Sequence, residues 1–102
     1  MKFAIPLRGK TLYSALRACG YSNEGAGDKT GELKFHRFLA GRAYPKFHIY
    51  ATVSLDRKSA SLNLHLDQKQ PSYRGTRAHA AEHSGPAVEA EAARIQEMNQ
   101  QS

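Results

Sequence analysis

Residues 47–55 and 60–67 alternate apolar and polar side chains without interruption, and Asp56-Arg57-Lys58-Ser59 separates the two runs. Strict alternation over this length is the pattern of half-buried strands, and a short polar link makes them an antiparallel hairpin. A turn centred between Arg57 and Lys58 places Phe47, Ile49, Ala51, Val53 and Leu55 on the same side as Ala60, Leu62, Leu64 and Leu66. On the other side it sets His48 against Asp67, Tyr50 against His65 and Thr52 against Asn63. Backbone geometry holds such pairs about 5 Å apart, so the polar side of the hairpin is where chemistry is expected.

The flanking segments set what covers the apolar side. Thr11 suits the N-cap of a helix whose Leu12, Ala15, Leu16 and Cys19 form one stripe, with Gly20 at its exit. Residues 22–31 are rich in glycine, lack periodicity and read as a loop. A strand is expected over residues 32–39, with Leu33 and Phe35 on one face and Lys34, His36 and Phe38 on the other. Arg37, on the apolar side, suggests a bulge or an early end. Residues 68–85 form a long polar connection, and Pro86 opens a final helix with Glu89 and Glu91 near its positive end and a thin stripe of Val88, Ala92 and Ile95. Residues 99–102 are expected to fray. The expected fold is a single α+β domain over residues 1–102: a three-stranded antiparallel sheet with an N-terminal and a C-terminal helix, in the order α-β-β-β-α.

With 102 residues there is room for one core. One cysteine, Cys19, excludes an intrachain disulfide framework and a multi-thiolate zinc site, as expected of a cytoplasmic protein. No apolar run has the length of a membrane span or a signal peptide, so no membrane partner is expected. Charge is unevenly spread. Residues 1–77 carry fourteen Lys or Arg against five Asp or Glu, whereas residues 78–102 carry one Arg against four Glu. A basic body of this kind attracts polyanions, nucleic acid first.

Three functional readings follow. Rings and cations share the polar side of the sheet and the start of the connection: Lys34, His36, Lys46, His48, Tyr50, His65, Lys69, Tyr73, Arg74 and Arg77. Rings stack on unpaired bases while cations hold phosphates, so the expected ligand is nucleic acid, RNA in particular, with no cofactor. An enzymatic variant would use His48, His65 and Asp67 for acid–base cleavage through the 2′-hydroxyl. In the second reading His48, His65, Asp67, His79 and His83 bind zinc or a similar divalent ion. His79-Ala80-Ala81-Glu82-His83 has the H-x-x-E-H spacing of some zinc proteases, but Ser84-Gly85-Pro86 stops any helix that would aim both histidines. In the third, the acidic last helix docks on a protein partner or on a second copy as a weak homodimer. The glycine-rich loop has Asp28 before Lys29 and follows a helix, which is the wrong context for a phosphate-binding loop.

Leu12-Tyr13-Ser14-Ala15-Leu16-Arg17-Ala18-Cys19-Gly20-Tyr21 is similar to the first helix, ending in Gly plus an aromatic, of the HicA-type toxins. Those proteins share the fold of the double-stranded-RNA-binding domain. Phe47-His48-Ile49-Tyr50 resembles the strand that carries that family's histidine, although the Gly-Ser preceding it there is missing here. The resemblance covers at most the first two-thirds of the chain. It implies an α-β-β-β-α fold, cleavage of messenger RNA and His48 as the catalytic residue.

Overall fold

A computed structural model describes residues 1–27, 29–39, 41, 43–68, 81–82 and 84–101. The elements are β1 (Lys2–Pro6), α1 (Leu12–Ala18), β2 (Ser22–Ala26), β3 (Leu33–Phe38), β4 (Lys46–Val53), β5 (Ser59–Asp67), β6 (Ala81–Glu82) and α2 (Pro86–Gln101). All strand pairs are antiparallel, in the order β1-β5-β4-β3-β2, and the two residues of β6 lie along β5 beyond β1. The expected class, α+β, is correct, but the expected three-stranded sheet is not. The three central strands are the ones anticipated, and β1 and β2 widen the sheet to five.

Both added strands have physical reasons to be inconspicuous. β1 alternates Phe3 and Ile5 with Lys2, Ala4 and Pro6, a pattern too short to stand out, and its proline is tolerated because the strand is at an edge. β2 contains no large apolar side chain and joins the sheet through its backbone. Its register shifts between Asn23 and Gly25, so Glu24 is the extra residue of a β-bulge, and Gly25 adopts φ 103°, open to glycine without strain.

The hairpin forms with a different register. Ser54 N–H donates to Ser59 O (2.9 Å) and Arg57 N–H to Ser54 O (3.0 Å), with Arg57 at φ 61°. The Asp56 carboxylate accepts from Ser54 Oγ (2.6 Å) and Lys58 N (3.0 Å). The turn is therefore centred between Asp56 and Arg57, and every cross-strand partner moves by two residues. Lys46 faces Asp67, His48 faces His65 and Tyr50 faces Asn63. A two-residue shift keeps each side chain on its face, so both registers bury Leu62, Leu64 and Leu66, each contributing about 1.5–3 kcal/mol. Burial of those leucines cannot choose between them. The loop's own hydrogen bonds, worth about 0.5–1.5 kcal/mol each, can. Leu55, expected on the apolar side, is instead fully exposed in the turn.

Both helices pack on the apolar side of the sheet. Leu12, Ala15 and Leu16 of α1 and Val88, Ala92 and Ile95 of α2 join Ile5, Phe35, Ile49, Leu62 and Leu64 in one core. Thr11 Oγ1 accepts from Ser14 N (3.0 Å) as the N-cap of α1, and Gly20 takes φ 93° at its exit, both as expected. Arg37 neither bulges nor ends its strand. It reaches Glu91 of α2 (3.5 Å), which also accepts from Tyr21 Oη (2.6 Å) and from Arg94 through both carboxylate oxygens (2.8 Å each). Arg94 donates further to Cys19 O (2.7 Å). Burial, and then the bond to Glu91, push the Tyr21 phenol well above its ordinary range, so it stays a donor. Nor does the end of α2 fray at Asn99: this residue is buried and donates to Pro6 O (2.8 Å). No helix of the described residues is long and apolar enough to cross a membrane.

Candidate nucleic-acid interface

With both helices on one side, the opposite side of the sheet carries three rows that cross the strands. The first is Ser22, His36, His48 and His65, the second Lys34, Tyr50, Asn63 and Lys2, and the third Phe38, Lys46 and Asp67. Neighbouring strands lie about 4.8 Å apart, so each row is a ladder of side chains in contact range. Tyr50 lies 5.1 Å from His65 and 6.3 Å from His48, nearly parallel to the latter, and His36 lies 4.5 Å from Phe38. Lys34 Nζ stands 5.6 Å over Tyr50. Lys46 Nζ stands 4.9 Å over Tyr44 and 5.6 Å over Phe38, which is itself about half exposed. These distances fall within the range of cation–π attraction.

Two carboxylates sit inside this field of rings and cations. His48 Nδ1 contacts Asp67 Oδ2, and its Nε2 lies 3.0 Å from Glu24 Oε2. The same Glu24 oxygen lies 2.8 Å from His36 Nδ1. The expected His48–Asp67 contact is therefore present, but as a diagonal rather than a directly opposed pair. Glu24 reaches both histidines because the bulge of β2 makes it the extra residue at that edge. Burial raises the Glu24 carboxyl, but His48, His36 and Lys34 together outweigh burial and hold it below its usual range. With Asp67 on one ring nitrogen and Glu24 on the other, His48 has neither nitrogen free for a further partner.

Of the residues singled out in the sequence, Lys34, His36, Lys46, His48, Tyr50, His65 and Asp67 share this face. Lys69, Tyr73, Arg74, Arg77, His79 and His83 lie outside the described residues. Among the described residues no group of three or more His, Cys, Asp or Glu is placed to hold a metal ion. The apolar stripe of α2 that was expected to dock on a partner is spent inside the molecule, with Val88, Ala92 and Ile95 at most 1% exposed. Sequence reasoning missed Glu24 and Lys2 as members of the face, and placed Asn63 on it opposite Thr52 rather than Tyr50. Lys2 could have been found from the alternation at the start of the chain. Nothing in the polar run around Glu24 announces a strand.

A groove of about 770 Å³ lies elsewhere, between α1 and β2, and is lined by Tyr13, Arg17 and Asn23 among others. The fold and the face together define an α+β protein in which both described helices lie on one side of the sheet. Comparison with protein-family models, with curated proteins and with solved structures finds no match to this chain.

Proposed function

We propose that this chain is a small RNA-binding domain that takes single-stranded RNA across the polar face of β3, β4 and β5. The observation that carries this reading is the polar face of the sheet, on which neither described helix lies and where five rings (His36, Phe38, His48, Tyr50 and His65) alternate with Lys34 and Lys46. Bases stack on such rings whatever their identity, and the lysines track the phosphates. The net charge of +6 supplies the long-range attraction. Glu24 and Asp67, already counted in that charge, hold the rings of His36 and His48. Their work is to fix the two imidazole planes, which lowers the entropy lost when a base settles on them.

Fluorescence anisotropy of a labelled, unstructured oligoribonucleotide, titrated at several salt concentrations, tests the proposal. The expected result is binding at low salt that weakens linearly with the logarithm of salt concentration. No binding at low salt, or binding indifferent to salt, refutes it.

A further inference from the structure

The row Lys34, Tyr50, Asn63 and Lys2 runs directly across four strands, as cation, ring, amide and cation. Beside it is a concavity of about 240 Å³ whose wall includes Lys2, Lys29, Tyr50, Thr52, Ser61 and Asn63, with Glu32 as the one carboxylate among its described residues. Asn63 is half-buried, and its side-chain amide makes no hydrogen bond to another described residue. Thr52 and Ser61, paired with each other across β4 and β5, are likewise without side-chain hydrogen bonds among the described residues. A ring, an unspent amide and two unspent hydroxyls thus converge on one small hollow. Lysines stand at both ends of its row.

We infer that this hollow is a subsite for one unpaired nucleobase, which stacks against Tyr50 while its polar edge pairs with the Asn63 amide. The inference rests on the RNA-binding reading and adds selectivity to it. Stacking accepts any base, but an amide held on a strand offers one donor and one acceptor at fixed positions, and a base edge either matches that pair or leaves it unsatisfied. Thr52 and Ser61 are close enough to the same hollow to bond a second edge atom or the ribose. Lys2 and Lys29 are placed for the phosphates on either side.

The test measures anisotropy of fluorescein-labelled oligo(A), oligo(U) and oligo(C) octaribonucleotides with the full chain and with Asn63→Leu. Wild type is expected to bind one homopolymer about tenfold more tightly than the weakest, the size of effect one bidentate contact produces. Asn63→Leu is expected to bind all three alike, with the salt dependence of wild type retained. Asn63→Thr, which favours a strand, gives the same readout should the leucine variant misfold. Equal binding by wild type, or a preference that survives in the variants, overturns the subsite while leaving general RNA binding in place. Failure of wild type to bind any of the three at low salt removes the RNA reading and the subsite together.

Discussion

Glu24 shows how one side chain can tie distant parts of the sheet. It comes from the edge strand β2, yet its carboxylate holds His36 of β3 and His48 of β4. Its acidity is the sign of that attachment: a carboxyl held below its usual range is stabilised in its charged form by the fold. The group therefore contributes stability above the unfolded carboxyl value of about 4.3, and the contribution is lost as pH falls through the lowered folded value. Glu24→Gln should melt below wild type at neutral pH, and the gap should close as the pH is taken into the acid range. Thermal melts of both proteins at matched pH values give this directly, and a gap that is constant with pH refutes it. Glu24 was hidden in the sequence for the reason that makes it effective. A bulge breaks the period on which strand reading depends.

At the scale of elements, what could be read from sequence followed the apolar periodicity, and what could not was fixed by hydrogen bonds. The helix from Leu12, the strand carrying Leu33 and Phe35, both hairpin strands and the helix from Pro86 each present a stripe or an alternation, and all are present. β2 has neither, and the hairpin register is decided by Asp56 and Ser54 within the turn, which alternation does not report. Arg37 was misread as a strand breaker because its partner Glu91 lies 54 residues away. Around that partner, Tyr21, Arg37 and Arg94 bring the first helix's exit, β3 and α2 together on one carboxylate. Removing one partner from a buried ionic group leaves the others uncompensated and typically costs about 3–5 kcal/mol. Glu91 is 5% exposed, so Glu91→Ala should fall in that range in urea denaturation. A loss below about 1 kcal/mol would show the cluster to be an ordinary surface pair.

For the whole molecule, the decisive fact is that α2 joins α1 on the apolar side rather than crossing to the other. The width of its stripe in the sequence does not reveal this choice. It follows from packing, since Val88, Ala92 and Ile95 complete a core that α1, with only Leu12, Ala15 and Leu16 buried, does not cover alone. The candidate face was legible in so far as it lay on the central hairpin and β3, and illegible where the edge strands supply it. Its electrostatic part has a quantitative consequence. Each lysine that stands on a single-strand phosphate steepens the salt dependence by about 0.7. Replacing Lys34 and Lys46 together with alanine should flatten the slope of log affinity against log salt by about 1.4, with little change in melting temperature. An unchanged slope would place the phosphates on other residues.

β1 and β2, the end strands of the five-strand path, are both drawn from the first 26 residues, while the strands they border come later: β1 rests on residues 59–63 and β2 on β3. During synthesis β1 therefore leaves the ribosome well before the residues it pairs with, whereas β2 meets its partner β3 directly after it in the chain. The strand nearest the start of the chain waits for a partner about 57 residues further on.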